Sequence, residues 1–224
     1  MKFLALETSS PYSVVCVGAA SGRLTGGRRA FAKGRADRLT GWVQAVLEKA
    51  GCSLDDIDVF GVGAGPGSFT GIRIGLSTVK GFAYALGKKC VVFSSLDAIA
   101  FGVKGLAPGP LAVAVDARRS NVYCRFYRMT SNGLKRASPA GMLPALEFLR
   151  RVKPGTVVTG DGLRLLGKDL ARRGCAAALE KYWYPRPEAL AALTREGLRK
   201  GNFLDAAGLR AVYFYEQDCQ VRRG

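Results

Sequence analysis

Three short polar turns carry the residues of this chain that could do chemistry. Glu7-Thr8-Ser9-Ser10 interrupts two apolar runs, a second turn opens at Asp116, and Gly160-Asp161-Gly162 follows a short β-rich run. A carboxylate at such a turn can hold Mg²⁺ through water, while hydroxyls and backbone amides take up phosphate. If two lobes each aim one turn into a shared cleft, Glu7 and Asp116 face each other there. Thr8, Ser9 and Ser10 would then sit at the phosphates, and Gly160 and Gly162 would let a nucleoside approach closely. Taken singly, the same segments are ordinary turns between strands.

A fourth segment, Gly65-Pro66-Gly67-Ser68-Phe69-Thr70-Gly71, lies between a strand and a helix, where free amides and the helix dipole favour phosphate. It matches neither standard phosphate loop. A Walker A loop ends in Gly-Lys-Ser/Thr, but Gly71 is followed by Ile72 and Arg73. A dinucleotide fingerprint needs GxGxxG, but after Gly63 and Gly65 the third position is Ser68. The segment reads equally as a tight turn that needs glycine torsions. The chain contains no histidine, which removes imidazole bases, Ser-His-Asp triads and histidine metal ligands.

The totals bound the rest. With 224 residues, 48% of them apolar, the chain is long enough to bury one large core or two small ones without disulfides. Its 34 Lys and Arg against 17 Asp and Glu give a formal charge of +17, a field that attracts polyanions such as nucleic acid, acidic protein or nucleotide. The same excess also serves solubility, and it is spread along the chain. The six cysteines form no CxxC pair and read as reduced thiols, with no zinc site. Met1-Lys2-Phe3-Leu4-Ala5-Leu6-Glu7 is too short an apolar run for a signal peptide, and no run reaches membrane-spanning length, so a cytoplasmic protein without membrane contact is expected.

Short apolar and β-rich runs bounded by turns predict strands at Phe3 to Leu6, Ser13 to Val17, Leu24 to Phe31, Val59 to Gly63, Cys90 to Phe93, Leu111 to Val115, Val122 to Tyr127 and Thr156 to Thr159. Leu39, Trp42, Val43, Val46, Leu47 and Ala50 form a helical stripe closed by Gly51. A second helix carries Ile72, Leu76, Val79, Ala83 and Leu86 and stops at Gly87. Further helices are expected from near Ser95, over Leu143 to Val152 and over Glu188 to Arg199. Ser53 and Asp56 have capping-box-like spacing for a single turn. Strand, acid-bearing turn and returning strand occur twice, with a glycine- and proline-rich seam near Gly102 to Pro110. This is an α/β chain of two similar halves.

The second helix is rich in small residues at Gly71, Gly75, Thr78 and Gly81, which lets another backbone come close. One reading is tight packing on its own sheet. The other is a helical partner interface shared with the first helix, using Leu39, Trp42 and Val46 there and Arg73, Ser77, Lys80 and Tyr84 along the second.

The string Gly63-Ala64-Gly65-Pro66-Gly67-Ser68-Phe69-Thr70-Gly71-Ile72-Arg73-Ile74-Gly75-Leu76-Ser77-Thr78-Val79-Lys80-Gly81-Phe82-Ala83, with Ser94-Ser95-Leu96-Asp97-Ala98 beyond it, closely resembles the TsaB (YeaZ-like) family. Leu4 to Ser10, Val115 to Arg119 with Val122-Tyr123, and the late Tyr215-Glu216-Gln217-Asp218-Cys219-Gln220 follow in the family's order. The resemblance implies a two-lobed actin, Hsp70 and sugar-kinase-like fold, with residues 1–104 and 105–224 as the lobes. It also implies a role in forming N6-threonylcarbamoyladenosine at position 37 of tRNAs that read ANN codons. In that family a histidine-bearing paralogue, TsaD, is catalytic, TsaB pairs with it through its first two helices, and a small ATPase, TsaE, joins.

For this chain the resemblance implies no catalytic residue, no bound metal and no required cofactor, with a vestigial cleft for weak binding of ATP or ADP with Mg²⁺. The family usually has Asp where Glu7 stands, and the extra methylene displaces a metal-bound water. Many members carry a histidine where this chain has Ala36-Asp37. An unfilled apolar bundle predicts a homodimer when the chain is alone. The alternative reading is an autonomous ATP-binding phosphotransferase of the same fold, for which no base beyond Glu7 and Asp116 and no Walker lysine is present.

Overall fold

The computed structural model describes residues 1–20, 22–30, 37–103 and 108–214. Phe31, Ala36, the expected lobe boundary at 104/105 and the Tyr215 to Gln220 stretch lie outside the described residues.

Two sheets share one path. Strands β1 (Lys2–Glu7), β2 (Tyr12–Ala19), β3 (Leu24–Ala30), β4 (Val59–Gly63) and β5 (Lys89–Phe93) form the first, in the order β3-β2-β1-β4-β5. Its first three strands are antiparallel, because short turns join them; β4 and β5 run parallel to β1, with helices as crossovers. The second sheet contains β6 (Gly109–Asp116), β7 (Asn121–Thr130), β8 (Gly133–Arg136), β10 (Val157–Thr159) and β11 (Ala176–Ala177), ordered β11-β10-β6-β7-β8, while β9 (Gly141–Pro144) also pairs with β7. Read from the other edge, that is the first sheet's path again.

Helices α1 (Asp37–Ala50) and α2 (Phe69–Leu86) bury their stripes on one face of the first sheet, against Leu4, Leu6, Val15 and Phe60. Helices α4 (Ala145–Arg151) and α5 (Leu163–Arg172) cover the matching face of the second. The two remaining helices are exchanged. Leu96, Ile99 and Ala100 of α3 (Ser95–Ala100) pack on Leu111, Val113 and Tyr127 of the second sheet, while Leu190, Ala191 and Leu193 of α6 (Pro187–Lys200) pack on Phe3, Ala5 and Val14 of the first. Each fully buried aliphatic side chain contributes about 1.5–3 kcal/mol, so the exchange ties the two halves strongly.

Two expectations change. Leu143 lies in β9, not in a helix, because Pro144 at the cap of α4 (φ −55°, ψ 141°) holds the preceding residue out of the helical region. Helix α5 escaped notice, although Leu163, Leu166 and Leu170 are all buried at helical spacing. The Ser53–Asp56 pair does form its cap, with Ser53 N and Oγ both donating to Asp56 Oδ2 at 2.8 and 3.0 Å.

Candidate functional site

A cleft of about 660 Å³ opens between the sheets, lined by Ser9 and Ser10, the Pro66–Phe69 turn, Asp116 to Arg119, Tyr123, Asp161, Trp183 and Tyr184. Ser9, Ser10 and Asp116 therefore stand where the turn pairing expects them, joined by Asp161. Asp161 accepts a hydrogen bond from the Asp116 amide at 3.0 Å, and burial pushes its pKa up. The turn after β6 is held tightly by Arg118 N donating to Asp116 Oδ1 (2.7 Å) and Asn121 N donating to Arg118 O (2.9 Å). Arg118, Arg119 and Ser120 all take positive φ (67°, 50° and 59°), costly for non-glycine residues and invisible in the sequence.

Glu7 is not in the cleft. Its carboxylate is wholly buried, accepting from Ser9 N at 2.6 Å and from Ser95 Oγ at 2.7 Å, while Ser95 Oγ accepts in turn from Gly65 N at 3.1 Å. A side chain at Gly63 would collide with it, so Gly63 is what makes room for the acid. The expected metal-facing carboxylate of the first half is thus a buried brace that ties the β1–β2 turn to α3.

Burial pushes the Glu7 carboxyl above its ordinary value, against the hydrogen bonds from Ser9 and Ser95. A raised folded pKa means stability that is fully present below the unfolded value and lost as pH rises through the folded one. Urea unfolding between pH 4.5 and 8 should therefore show this loss in the wild type and not in Glu7→Gln. Identical pH profiles would refute the assignment.

Thr8 is buried too, donating Oγ1 to Gly71 O at 2.7 Å, and a Cβ at Gly71 or Gly75 would strike Thr8. These two glycines let α2 close on the β1–β2 turn, which is the intramolecular one of the two readings. Gly160 and Gly162 likewise admit Ala114 O of β6: a Cβ at either would meet that oxygen, and Gly160 also has φ 105°. Neither glycine lines the cleft; Asp161 between them does.

The proposed partner face divides. Leu39, Trp42 and Val46 are core residues, 4%, 7% and 6% exposed, facing the first sheet. An amphipathic stripe in a sequence does not say whether its apolar side meets its own sheet or another chain, and here the sheet takes it. On α2, Thr78 bonds back to Ile74 O at 2.9 Å, and Arg73 lies over the Phe69 ring at 3.8 Å and donates to Tyr213 OH at 3.3 Å. What remains open is Ser77, Gly81, which has nothing within 4 Å of its side-chain position, and Tyr84, 85% exposed, with Lys80 half-buried beside them.

Among the described residues no group of three or more His, Cys, Asp or Glu could hold a metal ion, and no helix is long and apolar enough to cross a membrane. Cys16, Cys52, Cys90, Cys124 and Cys175 are free thiols, and burial pushes Cys16 up to about 12.

A family model described as TsaD, tRNA N6-adenosine threonylcarbamoyltransferase, matches residues 29–155. The tRNA threonylcarbamoyladenosine biosynthesis protein TsaB of Escherichia coli is 39% identical over 99 residues, 43% of this chain and 42% of that protein. The chain spans half or less of the length of the curated relatives it matches. YeaZ from Pseudomonas aeruginosa superimposes with a TM-score of 0.81 at 27% identity, covering 95% of this chain and 99% of that one. An activator of 2-hydroxyisocaproyl-CoA dehydratase from Clostridium difficile, with bound ADPNP, shares the fold at a TM-score of 0.52 and 10% identity, covering 95% of this chain and all of that one. The two-sheet architecture is accordingly that of the actin-like ATPase and kinase fold, and the chain belongs to the TsaB/YeaZ family.

Proposed function

We propose that this chain works in forming N6-threonylcarbamoyladenosine in tRNA, as a non-catalytic cytoplasmic subunit that pairs with a TsaD-like catalytic paralogue. The observation that carries the reading is the bare outer face of α2, where Tyr84 stands 85% exposed beside Gly81 and Ser77. An aromatic this exposed next to a residue without a side chain suits a helix from another chain, with Tyr84 as its anchor. A TsaE-like ATPase and tRNA join the pair in this reading, and the same face makes the homodimer when the chain is alone. In this reading the cleft needs no cofactor; Glu7 is turned away from it, and among the described lining residues Asp116 and Asp161 offer the carboxylates.

Size-exclusion chromatography with light scattering, using the chain and its catalytic paralogue without nucleotide, tests this. A heterodimer is expected, with affinity falling tenfold or more, about 1.4 kcal/mol or more, in Tyr84→Asp and in Gly81→Arg, both of which remain folded. No complex at micromolar concentrations would reject the reading.

A further inference from the structure

Away from the cleft and the α2 face, a groove of about 200 Å³ runs between β3 and α1, lined by Thr25 to Arg29, Trp42, Ala45, Val46 and Lys49. β3 is an edge strand, paired with β2 alone, and Gly26 and Gly27 leave its backbone bare. Arg28 and Arg29 are exposed and, as neighbours on a strand, lean to opposite faces of the sheet. The Arg28 guanidinium sits 4.6 Å from the Tyr12 ring, and that of Arg29 lies 5.3 Å from the Trp42 ring. Lys49, exposed at the end of α1, closes the far side. No carboxylate lines the groove, and among the described residues none of the three cations has a carboxylate within 4.0 Å.

Some other surface cations have simpler explanations. Arg151 pairs with Glu147 and Arg172 with Asp169, each in the last turn of a helix whose dipole favours it. Lys49, in the last turn of α1, shares that explanation, but Arg28 and Arg29 lie on a strand, which offers no such dipole, and each lies over an aromatic ring. A stacked guanidinium keeps its fork of N–H donors free for a phosphate while losing little rotamer entropy on binding. The groove is polar and narrow, with no exposed large apolar side chain to anchor a folded protein, and the chain carries +17 overall.

We infer that the β3 edge is a docking ridge for the phosphate backbone of an RNA, with Arg29 and Lys49 contacting it from the β3–α1 groove and Arg28 from the opposite face of the same strand. The inference rests on the proposed function for the RNA being tRNA. It needs no partner chain, so its test is separate from that of the heterodimer.

The experiment is fluorescence anisotropy of the full chain with a labelled unmodified tRNA transcript across a salt series. The variants are Arg28→Gln/Arg29→Gln/Lys49→Gln, the milder Arg28→Gln/Lys49→Gln in case the first fails to fold, and the control Arg150→Gln/Arg172→Gln/Arg173→Gln. Thermal melts verify folding. The expected result is at least tenfold weaker binding for the groove triple at low salt, with the slope of log affinity against log salt reduced by about 3, or about 2 for the double. The control should bind within about threefold of wild type. Equal losses in groove and control variants would overturn the inference, as would absence of tRNA binding by the wild type at low salt. Displacement of tRNA by polyglutamate at matched charge would also overturn it, by showing an acidic-protein site.

Discussion

Replacing Asp97 with alanine is expected to lower the unfolding free energy by about 3 kcal/mol, the low end of the range for breaking a buried ion pair. Asp97 is 4% exposed on α3, one of the exchanged helices. Its Oδ1 accepts from Tyr127 OH at 2.8 Å and Arg125 at 3.1 Å, and its Oδ2 from Arg136 Nε at 2.7 Å. Arg136 passes the link on to Glu196 of α6 at 2.8 Å, and Lys200 closes it at 2.6 Å. Asp97 thus fastens α3 to β7 and β8, and Glu196 fastens α6 to β8 through the same Arg136. Removing Asp97 strands the Arg125 guanidinium and leaves Arg136 with Glu196 alone, and both keep some water, hence the low end of the range. Asn at this position retains the shape and one acceptor, so Asp97→Asn should lose less than Asp97→Ala. Urea unfolding at pH 7 measures both, and a loss under 1 kcal/mol for alanine would refute the clamp.

The same network sets an acid limit. Hydrogen bonds from Arg136 and then Lys200 pull the Glu196 carboxyl down from its ordinary 4.5 to about 2. A depressed folded pKa gives stability that is present above the unfolded value and lost as pH falls from 4.5 towards 2. Arg136→Met should therefore flatten that part of the wild-type acid profile, along with its effect at neutral pH.

The elements most legible in the sequence were those whose burial is decided locally. The continuous apolar runs Phe3 to Leu6 and Ser13 to Val17 reflect strands covered on both faces, and the Leu39 to Ala50 stripe with the stops at Gly51 and Gly87 reflects helices meeting one sheet. What could not be read was which surface takes each face. Glu7 sits in a polar turn as a cleft ligand would, but its direction is set by Ser95, 88 residues away, and by the space at Gly63. Gly160-Asp161-Gly162 reads as a ligand loop, yet its glycines answer to Ala114 O and only Asp161 to the cleft. Asp97 was visible as part of a motif string, and its role was not, because Arg125 and Arg136 belong to the other sheet. The exchange of α3 and α6 has no local signature at all.

Trp42 turns that ambiguity into a measurement. Its ring lies in the first core with Leu39, Val46 and Leu47, 7% exposed, with only the edge beneath Arg29 and beside Gly27 near the surface. Trp42→Ala should therefore lower stability by about 3–5 kcal/mol, as large aromatic-to-alanine changes in cores do. Tyr84→Asp removes an 85% exposed ring and should stay within about 0.5 kcal/mol of wild type. Partner capture should reverse the ranking. At temperatures well below its melting midpoint Trp42→Ala still presents an intact α2 face and should hold the catalytic paralogue, while the fully folded Tyr84→Asp should release it. Had the α1 stripe been the contact surface, Trp42→Ala would be stable and fail to bind. Chemical unfolding and light scattering on the same two variants separate a core helix from an interface helix.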